Sequence, residues 1–408
     1  RIAGQITTDE NIITPYTVNI DNQIIQVYTK FGKIQGDKKS IGSQTSFTLH
    51  NQEAKFGNNI YTGIQESFSI NIIEQNQFKD NHVLKYGASY FADRFTESFD
   101  GNIIKPYHLK KRVDLVTGIF SEYQFNNQKF NLVSGLRADY YNIQNKIYYL
   151  PRINMKYNPG DRTAIRFSIG RAFRISNVLT ENMSFLASSR SIIIGDDLRP
   201  EAGWNYGLNL SHCFYLFNKE GTLNLDIYKT IFEDQIVINI EDQNELSFTN
   251  LNGKSFANII QIGFDYNITK NLQMRLGYKQ NKSISTFNGV EKQLPLQPEE
   301  RAIINLSYKT ISDKWHFDIT ANYIGRSRIP EINVADNFSP SFSLFNSQIT
   351  RKWDNLDVYI GGENLTNYTQ PNPIIDVENP LGDDFDASLI WGPVMGRNIY
   401  VGIRYKIK

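Results

Sequence analysis

From Ile399 onward the apolar residues Ile399, Val401, Ile403, Tyr405 and Ile407 occupy every second position, with Tyr400, Gly402, Arg404 and Lys406 between them. The same alternation recurs upstream. Trp315, Phe317, Ile319, Ala321 and Tyr323 alternate with His316, Asp318, Thr320 and Asn322, and Leu272, Met274, Leu276 and Tyr278 alternate with Gln273, Arg275 and Gly277. A period of two places successive side chains on opposite faces of a strand, so these stretches predict strands rather than helices. About 17 such segments can be marked, near 15–34, 40–51, 59–74, 82–97, 112–126, 128–144, 147–158, 161–174, 203–217, 220–240, 255–268, 271–284, 299–310, 313–326, 341–353, 355–368 and 397–407.

Many of these segments exceed the usual strand of five or six residues, and about ten residues is what a tilted strand needs to cross a bilayer. Short polar turns at 36–39, 126–128, 158–161, 218–221, 269–271, 312–313 and 354–355 alternate with longer connections at 98–111, 175–202, 241–254, 285–298, 327–340 and 369–396. Short turns at one end and long loops at the other predict an all-β, transmembrane, antiparallel up-and-down β-barrel. Two connections, 51–58 and 145–146, are short where a long one is due. A soluble antiparallel sheet also alternates, but its strands are usually shorter and its apolar face less often bounded by Tyr, Phe and Trp.

Composition agrees with this reading. Aromatic residues make up 13% of the 408 residues, with 23 Tyr and 26 Phe, which favours strands. Mean hydropathy is -0.42, and no stretch approaches the roughly 18 apolar residues of a spanning helix. A net charge of +1 gives no electrostatic reason to expect a nucleic-acid partner. The single cysteine, Cys213, permits no internal disulfide and reads as a packing residue. The chain starts at Arg1 without a charged start and apolar core, so a signal peptide is expected to be absent or removed.

No catalytic set stands out. The histidines His50, His82, His108, His212 and His316 show no metal-ligand spacing, and neither a G-x-S-x-G elbow nor a phosphate loop occurs. The expectation is a non-enzyme with no metal and no cofactor.

Specific stretches carry a resemblance. "PRINMKYNPGDRTAIRFSIGRAFR" (151–174), "TENMSFLASSR" (180–190), "DDLRPEAGWNYGLNL" (196–210), "GGENLTNYTQPNPIID" (361–376) and "DASLIWGPVMGRNIYVGIRYKIK" (386–408) together resemble the C-terminal barrel portion of TonB-dependent outer-membrane receptors of the Bacteroidetes type. The resemblance implies a 22-stranded barrel in the outer membrane of a Gram-negative bacterium, plugged by a separate N-terminal domain. Counting back from the last strand, it makes residues 1–408 one partial barrel domain without the plug and first strands, with 1–14 in an extracellular loop. It implies as partners outer-membrane lipid, the TonB system acting through the plug, and a nutrient ligand. Active uptake of a ferric siderophore, metal chelate or cobalamin is the expected function; a passive porin or adhesion barrel is the alternative. The final Lys408 departs from the aromatic residue that usually ends such barrels.

Loops are where such a scaffold displays function. Asp383, Asp384 and Asp386, beside Phe385 and Trp391, could meet a hydrated cation or a sugar hydroxyl, with aromatics stacking on a ligand; an ordinary solvated acidic loop is the other reading. Arg326 and Arg328 could attract an anionic siderophore through bidentate contacts, or form a rim salt bridge. Arg199, Pro200 and Glu201 read as ordering the loop before the next strand. Asn224, Asp226, Arg275, Asn305, Asp318, Arg404 and Lys406 are expected on the inner wall.

Overall fold

Alternating residues can bury one face only if neighbouring strands share register, and the chain satisfies this with one long antiparallel series. The computed structural model describes residues 2–4, 16–101, 103, 104, 110–330 and 337–407. Its strands begin with β1 (Ile2–Gly4), β2 (Thr17–Gln35), β3 (Lys39–Phe56), β4 (Asn59–Lys79), β5 (His82–Asp100) and β6 (Lys110–Asn126). β7 (Phe130–Tyr141), β8 (Lys146–Gly160) and β9 (Thr163–Arg174) follow, then a one-turn helix α1 (Val178–Glu181), a 3-10 turn at Met183–Leu186 and β10 (Ser191–Ile194). Next come β11 (Glu201–Leu216), β12 (Lys219–Asp234), β13 (Ile236–Asn239), β14 (Glu245–Asn250), β15 (Ser255–Asn267) and β16 (Leu272–Phe287). The described chain closes with β17 (Val290–Gln293), β18 (Glu300–Lys309), β19 (Trp315–Ile324), β20 (Phe342–Lys352), β21 (Leu356–Glu363) and β22 (Asn398–Tyr405).

Among the described residues, nineteen strands form one sheet, of which β1 and β17 are short flanking pieces of three and four residues. The other 17 correspond one for one to the alternating segments of the sequence and pair antiparallel with their neighbours from β2 to β22. A second sheet of three strands orders β10, β14 and β13, with β10 parallel to β14.

The two faces differ as the alternation requires. Ile119, Ile227, Ile304, Ile319, Ile360, Val401 and Ile403 are exposed on one face. On the other, Asp114 receives the Tyr141 hydroxyl at 2.6 Å and the Arg112 Nε at 2.7 Å. Arg275 donates to Asp265 at 2.6 Å, Asn209 to Asp226 at 2.8 Å and Asn305 to Thr320 at 2.9 Å. Asp318 accepts from Ser307, and Arg404 stands 3.8 Å from the buried Asp357. The inner face is thus a lattice of cross-strand polar pairs, and the expected inner-wall residues among these lie on it. Cys213 is half-buried there, its Sγ 3.9 Å from the Thr222 hydroxyl.

Several boundaries differ from the sequence reading. β4 runs on to Lys79 and β5 to Asp100, so these strands outreach the segments 59–74 and 82–97. The segment 220–240 breaks after Asp234. The Asp234 carboxylate accepts from Arg199 at 2.6 Å and from Asn250 at 2.9 Å, and Ile236 donates its backbone N–H to Glu201, which turns the chain away into β13. The expected loops 175–202 and 241–254 contain α1, β10 and β14. Residues 2–4 pair with β2, while Arg1, 5–15, the loop residues 102, 105–109 and 331–336, and Lys408 lie outside the described residues. The short connection between β3 and β4 is a tight turn at Gly57, whose φ of +57 suits glycine and whose missing Cβ makes room for the Tyr16 ring.

Candidate functional site

The largest buried apolar cluster belongs to the long connections. Phe56 and Tyr61 at the ends of β3 and β4 pack with Ile104, Leu179, Leu186, Ile192, Leu246, Phe248 and Leu389. These residues come from connections that are distant in sequence, so the loops form a packed layer over one end of the sheet rather than separate arms. Tyr61 donates to Glu97 at 2.8 Å and bonds the Thr180 hydroxyl at 2.7 Å, tying the wall to α1.

Two buried ion pairs fasten the layer. Arg190, 3% exposed, reaches Asp386 at 3.1 Å and donates to the Ser388 hydroxyl at 2.8 Å and to the Ile240 carbonyl at 3.3 Å. Burial pushes the Arg190 guanidinium down from its ordinary value, against the pull of Asp386 and Asp242. Asp386 also accepts the Ser388 N–H at 2.8 Å. Arg328 pairs with Glu241 at 2.5 Å and donates to the Gln293 carbonyl at 2.5 Å. Tyr16 packs its ring 4.6 Å from Phe385, and burial together with the Asp386 charge pushes its hydroxyl up to about 12.

The six residues singled out from the sequence therefore fall into two groups. Asp386 and Arg328 are buried in ion pairs that hold loops together. Asp383 and Asp384 are exposed in the same loop, and the Asp383 carbonyl accepts from the Ser189 hydroxyl. Arg326 is exposed, paired with Glu299 at 3.0 Å and placed 4.6 Å over the Phe338 ring. Trp391 is half-buried; its N–H donates to Gln370 Oε1 at 2.9 Å, and its ring lies 6.1 Å from that of Phe342. It borders a cavity of about 560 Å³ between the last long loop and the inner faces of β16, β18, β19 and β20. Arg199 and Glu201 do order the loop before β11, through Asp234, Asn250 and Arg174. Arg190 and Glu241 carried no local sequence signal, because each is defined by a partner in another loop. Among the described residues, no group of three or more His, Cys, Asp or Glu is placed to hold a metal ion. The arrangement offers binding surfaces and a cavity.

The sequence profile of the family described as TonB dependent receptor-like, beta-barrel, matches residues 7–365. The chain belongs to this TonB-dependent receptor barrel family. No curated protein matches the chain. Among solved structures it is similar to the ferric-catecholate import receptor Fiu from E. coli K12, at 13% identity and a TM-score of 0.68, covering 96% of this chain and 64% of that one. It is similar to the siderophore receptor PiuA from Acinetobacter baumannii, at 14% identity and a TM-score of 0.63, covering 96% of this chain and 65% of that one. The copper transporter OprC matches with a TM-score of 0.68 at 14% identity, again over 96% of this chain and 65% of that one. At these identities the likeness is one of fold, and this TonB-dependent receptor barrel spans about two thirds of the length of those structures.

Proposed function

We propose that the chain is the barrel portion of an outer-membrane receptor that takes up a scarce nutrient by TonB-dependent active transport. It acts as a receptor rather than an enzyme. The family match over residues 7–365 carries this reading. The apolar outer face fits a lipid surrounding, and the polar inner face fits a lumen that holds a plug, through which the TonB system would act. The relatives' additional length leaves room for that plug and for further strands, which would make residues 1–408 one part of a larger barrel domain. The proposed ligand is a ferric siderophore or metal chelate, with cobalamin further off, since the similar structures named above are a ferric-catecholate import receptor, a siderophore receptor and a copper transporter.

In this reading the exposed Asp383, Asp384 and Arg326, with Trp391 at the cavity, contact ligand, while Asp386 and Arg328 keep the loops in place. Deleting the gene in its host and following accumulation of labelled ferric chelates under iron limitation tests it. Accumulation lost in the deletion strain, and lost equally when a protonophore collapses the proton gradient, is the expected result. Uptake that persists without the gradient and scales with external concentration would instead indicate a passive porin.

A further inference from the structure

Two cations face each other beside the cavity at Trp391. Along β16, Leu276 and Tyr278 lie on the apolar face, which turns Lys279 inward; on β18 the residue directly opposite Lys279 is Arg301. Like charges facing each other across an antiparallel pair repel, with Cβ atoms about 5 Å apart. Elsewhere on the inner face Arg112, Arg137 and Arg275 each lie against an aspartate at 2.6–2.7 Å, and where Arg166 faces Lys156 its guanidinium donates to Asn209 at 2.7 Å. Lys279 and Arg301 border the 560 Å³ cavity, and among the described residues that line it there is no carboxylate. Two described acids nearby are engaged elsewhere: Glu300 bonds the Tyr278 hydroxyl on the opposite face, and Glu299 pairs with Arg326. Ile303 and Ile324 flank Arg301 on the same face, and Trp391 and Phe342 also line the cavity. Gln370 fixes this wall by accepting the N–H groups of Trp391 and Gly392, and Tyr368 stacks on Phe342 at 4.7 Å.

We infer that Lys279 and Arg301 form an anion subsite on the inner wall, completed by Trp391 and Phe342, that takes an organic anion with a flat apolar body. The inference rests on the receptor reading above and deepens it by stating the ligand's chemistry. The volume lies within the range of about 300–1,000 Å³ usual for small-molecule sites. A bare inorganic anion would leave the aromatic wall unfilled, and a neutral ring would leave the paired cations repelling one another. An anion between them offsets that repulsion with charge-assisted hydrogen bonds, while its apolar body covers the wall.

The test uses the full chain folded in detergent, its folding checked by heat-modifiable migration on gels, with 1-naphthoate as probe and 1-naphthalenemethanol as its neutral counterpart, both corrected for micelle partition. Equilibrium dialysis should show saturable 1:1 binding of naphthoate that weakens as salt is raised. The double variant Lys279→Gln/Arg301→Gln should bind at least about tenfold more weakly, as expected for lost charge-assisted bonds. The charge-conserving Lys279→Arg/Arg301→Lys should stay within about threefold of the parent chain, since either head group supplies the charge and the pair keeps one of each. Trp391→Ala should weaken binding with the charges intact. Absence of saturable naphthoate binding, equal binding of the neutral alcohol, or unchanged binding in the glutamine variant overturns the inference. Each of these outcomes is independent of whether the cell imports a chelate, which the accumulation assay reads separately.

Discussion

Arg190 and Asp386 meet at 3.1 Å although they belong to loops in opposite halves of the chain, and both are buried. Removing one partner strands the other charge in a site where water cannot replace it. Asp386→Ala should loosen the loop layer by about 3–5 kcal/mol. Hydrogen exchange should show protection lost around residues 187–194 and 385–389 while the long strands of the large sheet stay protected; unchanged protection there would show that the pair does not hold the layer.

Arg326 and Arg328 are two residues apart and should behave differently. Arg328 is buried against Glu241, which Lys292 also approaches at 3.7 Å, so Arg328→Ala should cost about 3 kcal/mol, the low end for a broken buried pair. Arg326→Ala removes an exposed pair and should cost under about 1 kcal/mol. Proteolytic susceptibility of the loop between β19 and β20 measures the contrast.

Gly118 has no room for a side chain. A Cβ there would stand 2.0 Å from Asp139 Oδ1 and 2.6 Å from Arg137 Nη2. Gly118→Ala should force apart the Arg137–Asp139 pair on the inner wall and destabilise the folded sheet by about 1–3 kcal/mol, the usual range for overpacking. A lowered midpoint in urea unfolding from bilayers would report it.

The two faces of the sheet make a paired prediction. Ile319 lies mid-strand on the apolar face, 51% exposed. Ile319→Arg should cost about 2–4 kcal/mol if that face meets lipid near the bilayer centre, whereas Asn224→Arg on the inner face should cost a small fraction of that. Equal costs at the two positions would contradict a lipid-facing outer surface.

Tyr16 gives the loop layer a pH dependence. Its hydroxyl titrates at about 12 rather than 10, so the folded state holds the proton more tightly than the unfolded one. The resulting stabilisation is complete below pH 10 and declines as pH rises from 10 toward 12. Protease sensitivity of the loops should rise in that window in the parent chain and rise less in Tyr16→Phe.

The alternation along Trp315–Tyr323 or Ile399–Ile407 is a local property, so each of the 17 long strands and the face it turns outward could be read without knowing any neighbour, whereas the short strands β10, β13 and β14 could not. The loop charges could not be read that way. Asp383, Asp384 and Asp386 look alike in sequence, yet Asp386 is buried against Arg190 while the other two are exposed. The break after Asp234 depended on Arg199 and Asn250 arriving from two other connections. Lys279 and Arg301 became a pair only through the register of β16 on β18. By itself the sequence determined the long strands and their faces, because the pleat enforces them residue by residue. Tertiary structure decided which loop charges are buried and which line the cavity, because the energy of a charge depends on partners and water that distant segments supply or exclude.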